Sequence, residues 1–125
     1  MSRTPVVTDR VARPVGPFSV AMRDGETLFT SGVVAQDPAT GRLVPGDVTS
    51  QTEQALKNLE AVLEAGGKSL ADVVKASVFL TDMRDFAAMN EVYARHFRAP
   101  YPARTTVAVA ALPLGAAVEI DVVAR

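Results

Sequence analysis

The sequence predicts an α+β fold in which two helices cover one face of a mixed sheet of five to six strands. Strand-like and helix-like segments follow one another in the order β-β-(β)-α-β-α-β-β along 125 residues, a length typical of one domain. Hydrophobic residues make up 48% of the chain, which is enough for a core and argues against disorder. We therefore expect a single domain over residues 1–125.

The uncovered face of this sheet predicts an oligomer. Two helices can cover only one face, so the opposite face meets either solvent or another subunit. The alternating strand positions that would form it include many valine and alanine residues. Such a face is better suited to contact with a second copy of the chain than to solvent.

A hairpin is predicted in the first part of the sheet. Residues 18–22 and 27–31 have the composition of strands, and the Asp-Gly pair in the turn at 23–26 is a strong hairpin signal. Residues 32–35 extend the second arm. Residues 1–13 show no clear pattern beyond a valine-rich piece that fits a short edge strand.

The first helix is predicted over Val48–Ala65. Ser50 and Glu53 have the spacing of a capping box, and Gly66-Gly67 supplies the C-terminal stop. The helix has one apolar face, because its apolar side chains and one threonine recur at helical spacing: Thr52, Ala55, Leu56, Leu59, Val62 and Leu63.

A central strand and a second helix follow. Val73–Leu80 is rich in β-branched residues, as expected of a strand covered on both faces. The second helix is predicted to begin within residues 81–85 and to end before Ala99-Pro100, because the residue before proline disfavours helical geometry. The single histidine, His96, lies near its end, where a cation is favourable, so we predict a structural role. The apolar stripe comprises Phe86, Met89, Tyr93 and Phe97.

The last two strands carry the candidate chemistry. Residues 101–110 and 118–123 are predicted to be partner strands joined by a short turn. Alternation places Arg104 and Thr106 on one face of the first strand and Glu119 on one face of the second. If Arg104 and Glu119 open into the same cavity, they supply a fixed cation and an acid–base carboxylate for a small anionic substrate. On spacing alone, the alternative is an ordinary cross-strand ion pair.

Composition excludes several classes of function. The net charge is −1, from 13 Lys and Arg against 14 Asp and Glu, so no basic surplus is present to hold a nucleic-acid backbone. We find neither an apolar run long enough to span a membrane nor an apolar signal core in residues 1–13. The chain has no cysteine and one histidine, so we expect no disulfide, no thiolate catalysis and no multi-histidine metal site. The expected location is the cytoplasm.

A series of motifs identifies a resemblance to a known family. From residue 14 to residue 124 the sequence resembles the RidA (YjgF) family of reactive-intermediate deaminases. The ordered set is specific, although each motif alone is weak. Representative motifs are Gly16-Pro17-Phe18-Ser19, Leu28-Phe29-Thr30-Ser31-Gly32, Asp37-Pro38-Ala39-Thr40-Gly41, Val78-Phe79-Leu80-Thr81-Asp82-Met83, Tyr101-Pro102-Ala103-Arg104-Thr105 and Val118-Glu119-Ile120.

The resemblance implies a fold, an assembly and a reaction. The fold is chorismate-mutase-like, and the chain assembles as a homotrimer with active sites in clefts between subunits. The reaction is hydrolysis of 2-enamine or 2-imine acids to 2-oxo acids and ammonia, with neither a metal nor an organic cofactor. No nucleic acid and no membrane is expected as a partner.

The resemblance also implies roles for individual residues. Arg104 matches the arginine that clamps the substrate carboxylate, which suits the two parallel donors of a guanidinium. Glu119 matches the glutamate that holds and activates the attacking water. Ser31 and Gly32 match the turn that lines the substrate site. Asn90 matches a position near the cleft, where a purely local structural role is an equal alternative.

Three positions depart from the family pattern. Phe18 stands where tyrosine is common, Thr106 where cysteine is common and Val33 where glutamine is common. Phe18 and Thr106 are still expected to line the substrate site. The changes make the pocket more apolar, so we expect either an altered substrate preference or a reduced rate on small polar imines. The alternative function is a non-catalytic trimer that binds small carboxylates or a protein partner; RNA cleavage fits the near-neutral charge poorly.

Overall fold

The computed structural model of the chain describes residues 2–125. These residues form six strands and two α-helices, connected by loops and three short 3-10 turns. The strands are β1 (Thr4–Val6), β2 (Ala21–Asp24), β3 (Thr27–Thr30), β4 (Val73–Leu80), β5 (Ala103–Ala108) and β6 (Val118–Ala124), and the helices are α1 (Val48–Ala65) and α2 (Phe86–His96).

The six strands form one mixed sheet in the spatial order β1-β2-β3-β6-β4-β5. All neighbouring pairs are antiparallel except β4 and β5, which run parallel. Both helices pack on the same face, because α1 and α2 contact each other and contribute to one core with the sheet. The predicted α+β fold, a mixed sheet with two helices on one face, is confirmed.

The predicted pairing of the last two strands is wrong, because β4 lies between β5 and β6. The segment β4-α2-β5 is a strand–helix–strand crossover, which brings two parallel strands side by side. The bounds of β5 and β6 also differ from the predicted 101–110 and 118–123. β5 begins after Pro102, because proline has no N–H group to donate to a neighbouring strand.

The hairpin of β2 and β3 forms as predicted, around a two-residue turn. Asp24 pairs with Thr27, and Gly25 takes the left-handed φ of 61° that this tight turn requires. β2 begins three residues and ends two residues later than predicted, whereas β3 begins at Thr27 as predicted and ends at Thr30. The predicted extension through residues 32–35 is wrong, because Val33 there forms only an isolated bridge to Ile120. The predicted edge strand is β1.

Helix α1 has the predicted bounds, but its predicted capping box is wrong. The N-cap is Asp47, whose side-chain Oδ1 accepts a hydrogen bond from the Ser50 backbone N–H at 3.2 Å. Ser50 therefore lies inside the first turn. Gly66 follows the last helical residue, as predicted. All six residues of the predicted apolar face are buried.

Helix α2 begins later than residues 81–85, because Met83–Asp85 forms a separate 3-10 turn that precedes it. The predicted stripe is buried at Met89, Tyr93 and Phe97. His96 lies at the last turn, as predicted, and its Nε2 is 2.6 Å from Glu53 Oε2 of α1. The histidine thus joins the two helices, a structural role with a side-chain partner.

One hydrophobic core lies between the helices and the sheet. Its fully buried large side chains come from both layers: Leu28, Leu56, Leu59, Leu63, Leu80, Met89 and Ile120. Each contributes roughly 1.5–3 kcal/mol by leaving water. The opposite face of the sheet is not covered by either helix and carries exposed Phe29 and Val107. No helix within residues 2–125 is both long enough and apolar enough to cross a lipid bilayer.

Candidate active site

Glu119 of β6 lines a cavity of about 330 Å³. Three other residues predicted to bind substrate, Phe18, Ser31 and Gly32, line the same cavity. We call this group the Glu119 half-site. Its size is that of a small-molecule pocket, and most of its wall is apolar.

Local backbone geometry brings this half-site together. Beyond the end of β3, the Ser31 side chain donates to the Ser19 carbonyl oxygen at 2.6 Å, which fixes the segment that carries Phe18. Val33 then exchanges two backbone hydrogen bonds with Ile120 of β6, at 2.8 and 3.0 Å. Gly32, between Ser31 and Val33, is thereby held against the side chain of Glu119.

Gly32 leaves the space that the Glu119 carboxyl group occupies. A Cβ atom at position 32 would lie 2.6 Å from both Cδ and Oε2 of Glu119, closer than real contacts allow. A side chain at this position would therefore displace the carboxyl group. The lack of a side chain at Gly32, which the sequence analysis placed at the substrate site, is thus explained by the position of the Glu119 carboxyl group.

Burial raises the pKa of the Glu119 carboxyl, and the neighbouring Asp121 carboxylate raises it further. Both causes disfavour the negatively charged form. A carboxyl group with a raised pKa exchanges protons more readily near neutral pH than an ordinary glutamate does. Such a group is suited to accept a proton from water and return it to a leaving group.

Arg104 lies elsewhere, beneath helix α2. Its guanidinium carbon is 4.7 Å from the centre of the Tyr93 ring and 5.7 Å from that of Phe86. Within residues 2–125, no carboxylate forms an ion pair with Arg104. The aromatic rings thus contact the cation without neutralising its charge, which suits an anionic ligand.

Asn90 and Thr106 lie near this cation. Asn90 is one turn before Tyr93 on α2, and Thr106 is two residues after Arg104 on the same face of β5. The side-chain oxygens of Asn90, Tyr93 and Thr106 are shielded from solvent without a hydrogen-bond partner in residues 2–125. We call Asn90, Arg104 and Thr106 the Arg104 half-site. Its unpartnered polar atoms are the kind that a bound polar ligand satisfies.

The two half-sites do not meet within one chain. Arg104 is aligned with Ala76 and Val122, which face the helices, whereas Glu119 is aligned with Phe79 on the opposite face. With β4 between the two strands, Arg104 and Glu119 form neither the shared cavity nor the cross-strand ion pair considered from the sequence. Within one chain, Arg104 and Glu119 therefore do not form a common site.

Some residues of the half-sites were not identified from the sequence. Tyr93 and Phe86 were assigned to the core, yet their rings hold Arg104. The order strand–helix–strand over β4, α2 and β5 was the available signal, since such a segment usually forms a crossover that places the helix beside the second strand. Val15 and Leu114 line the Glu119 cavity from loops and carried no such signal. No cluster of three potential metal ligands occurs in the part of the chain that the structure describes.

Comparison with known proteins identifies the family to which the sequence is similar. The family model described as Endoribonuclease L-PSP matches residues 8–125. A RutC family protein of Pyrococcus horikoshii is 47% identical over 119 residues, which are 95% of this chain and 94% of that protein. The 2-iminobutanoate/2-iminopropanoate deaminase of Mus musculus is 43% identical over 122 residues, 98% of this chain and 90% of the relative.

A solved structure agrees with these sequence comparisons. The crystal structure of RidA from the Antarctic bacterium Psychrobacter superposes with a TM-score of 0.94 at 44% identity, covering 98% of both chains. The motifs, the fold and the near-complete coverage point the same way. The chain therefore belongs to the RidA (YjgF) family, whose model is described as Endoribonuclease L-PSP.

Proposed function

We propose that the protein hydrolyses 2-enamine and 2-imine acids to 2-oxo acids and ammonia. The observation that carries this proposal is the 43% identity, over 98% of the chain, to a mouse protein named 2-iminobutanoate/2-iminopropanoate deaminase. The two half-sites support it, because together they offer a cation for a carboxylate and a carboxyl group for proton transfer. The cytoplasmic location expected from the sequence stays a prediction.

Arg104 is proposed to bind the substrate carboxylate. The guanidinium contacts the rings of Tyr93 and Phe86, and its N–H groups suit a carboxylate, which accepts two parallel hydrogen bonds from an arginine. This contact fixes the position of C2 relative to the rest of the site. Thr106 and Asn90 add polar atoms beside the same ligand.

Glu119 is proposed to act as the general base and then as the general acid. It accepts a proton as a water oxygen bonds to C2 of the imine, and the C=N electron pair moves to nitrogen, which takes up a proton. Breakage of the C–N bond, with proton transfer from the new hydroxyl, releases ammonia and leaves the 2-oxo acid. Positioned proton transfer of this kind contributes about 10²–10⁴-fold to rate.

The complete site is proposed to lie between subunits of a homotrimer. The Glu119 half-site of one chain would face the Arg104 half-site of its neighbour, because the two lie on different faces of the sheet in one chain. A closed threefold ring makes three equivalent contacts of this kind. The exposed apolar side chains of the uncovered sheet face, Phe29 and Val107, support association of copies.

A coupled assay tests the reaction. An excess of a D-amino-acid oxidase generates imines from D-alanine, D-leucine and D-phenylalanine, and formation of the 2-oxo acid is followed against the spontaneous rate. We expect the wild type to accelerate hydrolysis and Arg104→Ala to abolish the acceleration while the oligomer persists. Arg98→Ala, which removes an exposed arginine outside both half-sites, is the matched control. Full activity in Arg104→Ala would refute the assigned role.

Mixed oligomers test whether the site is shared. Arg104→Ala and Glu119→Gln chains, each inactive alone, are co-expressed with different tags and purified through both. Purification through both tags keeps only mixed trimers, and about one third of their sites is restored if each site takes Glu119 from one chain and Arg104 from its neighbour. Mixed oligomers without recovered activity would place the site within one chain and contradict the shared arrangement.

Two other functions have less support. A non-catalytic binder of small carboxylates would use Arg104 in the same way, but the mouse relative is named as a deaminase. The family description names an endoribonuclease. The net charge of −1 and the pairing of the single histidine with Glu53 offer little for binding or cleaving RNA.

A further inference from the structure

Three exposed apolar side chains surround the Glu119 cavity. Val15, Phe18 and Leu114 are 93%, 53% and 58% exposed, and all three line it. They approach from two separate parts of the chain, the loop before β2 and the 3-10 turn Pro113–Gly115 before β6. A cluster of large apolar side chains around a cavity marks a surface that binds another apolar group.

Leu114 is held in a backbone conformation that leucine rarely adopts. Its φ of 61° and ψ of 15° are left-handed, which disfavours a residue with a Cβ atom and a branched side chain. Asparagine and glycine adopt this conformation more readily. Unfavourable backbone conformations are typically retained near functional sites, where the direction of the side chain matters.

The rest of the cavity wall continues the apolar surface. Val20, Val33, Val62 and Pro113 line it, and its ionisable lining residues within the described chain are Arg13 and Glu119. The polar lining side chains Ser31, Gln36 and Asn58 already donate to backbone carbonyl oxygens. A wall of this composition recovers little of the hydration that a polar substrate side chain would lose. It favours apolar side chains, because their removal from water is itself favourable.

We propose that the Glu119 cavity selects 2-imino acids with branched aliphatic or aromatic side chains, and that Leu114 is a specificity-determining residue. This inference rests on the proposed function and names its substrate class. Amino acids such as leucine and phenylalanine lack a β-leaving group. Their imines therefore arise by two-electron oxidation of the Cα–N bond by a separate oxidase, which transfers the electrons to its flavin, and not by β-elimination.

Leu114→Asn tests the proposal in the oxidase-coupled assay. Asparagine suits the left-handed backbone but removes the apolar side chain. We expect kcat/KM for the leucine- and phenylalanine-derived imines to fall about tenfold, with that for the alanine-derived imine within about twofold of wild type. Val15→Ser provides a second variant with the same expected pattern. Met83→Asn, which changes an exposed apolar residue outside the cavity, is the control.

The outcomes separate this proposal from the one on which it rests. A wild type that hydrolyses all three imines equally well overturns the side-chain preference but not the deaminase function. Equal losses for all three imines, together with a smaller oligomer in sedimentation, would show that Leu114 serves an interface between copies. No acceleration of any imine would overturn both proposals.

Discussion

Gly32 controls the position of the Glu119 carboxyl group through the lack of a side chain. A Cβ atom there would lie 2.6 Å from Glu119 Oε2, and the carboxyl end can move because its side chain is flexible. We therefore expect Gly32→Ala to lower kcat by about 10²-fold, the lower limit for lost general acid–base catalysis. The midpoint of thermal unfolding should change little. Steady-state kinetics and calorimetry measure the two effects.

A double variant shows whether Gly32 acts through Glu119. If the alanine only displaces the carboxyl group, adding Gly32→Ala to Glu119→Gln should lower kcat no further, since residues acting as a unit are not additive. Multiplication of the two losses would mean that Gly32 has a separate role, such as a backbone contact to substrate.

The raised pKa of Glu119 predicts how stability depends on pH. Between the ordinary and the raised pKa, the folded chain keeps a proton on Glu119 that the unfolded chain has released. The free energy of unfolding should therefore fall as pH rises through this window. Glu119→Gln removes the effect, so its gain in stability over wild type should be larger at about pH 7 than at about pH 3.5, below the ordinary glutamate pKa.

Urea unfolding of wild type and variant at matched protein concentration measures this difference. Glu60→Gln, a change at an exposed glutamate of α1, controls for the loss of one negative charge. The same pKa predicts that kcat/KM rises with pH across the window as Glu119 loses its proton. A gain in stability that is equal at both pH values would contradict the assignment of the titration to Glu119.

The contact between α2 and β5 predicts a positioning role for Tyr93. Its ring lies 4.7 Å from the Arg104 guanidinium and stacks on Phe97 with ring centres 4.3 Å apart. Tyr93→Leu should raise KM about 2- to 30-fold through loss of a cation–π contact worth roughly 0.5–2 kcal/mol. Tyr93→Phe keeps the ring and should keep KM close to wild type.

Kinetics distinguish positioning from stability alone. Both variants are measured well below their unfolding temperatures, so that the comparison concerns folded protein. A raised KM with a nearly unchanged kcat in Tyr93→Leu indicates weakened carboxylate binding. If Tyr93→Phe raises KM as much as Tyr93→Leu does, the buried hydroxyl and not the ring would be the important group.

The elements were predictable where local signals were sufficient. Helix α1 was predicted with correct bounds because a long apolar periodicity is closed by Gly66-Gly67. Its cap was assigned wrongly because Asp47 and Ser50 are both good capping residues, and backbone geometry decides between them. The pairing of β5 with β6 was wrong because strand adjacency is a long-range property. The strand–helix–strand order of β4, α2 and β5 would have predicted the observed parallel pairing of β5 with β4.

The residue roles divide in a similar way. The family motifs identified Arg104 and Glu119 as candidate catalytic residues. Neither their spacing nor strand alternation showed that β4 separates them. The close approach of Gly32 to Glu119 depends on a bridge between Val33 and Ile120, which are 87 positions apart in sequence. Contacts of this kind follow from the folded sheet and have no local sequence signal.

The uncovered sheet face connects the single chain to the proposed assembly. Phe29 and Val107 are 47% and 41% exposed on this face, and neither helix reaches them. A carboxylate introduced among contacting apolar side chains would lose hydration without a partner, which costs several kcal/mol. We expect Phe29→Asp to dissociate the proposed trimer into folded monomers, and sedimentation with circular dichroism checks mass and fold.

The same variant links assembly to activity. If each site combines half-sites of two chains, monomeric Phe29→Asp should lose imine hydrolysis although Arg104 and Glu119 are both intact. Met83→Asp introduces the same charge at a residue that is 45% exposed in the 3-10 turn before α2, outside the sheet, and should keep both mass and rate. A Phe29→Asp protein that stays trimeric would exclude this face as the contact. A fully active monomer would show that one chain is sufficient and contradict the shared site.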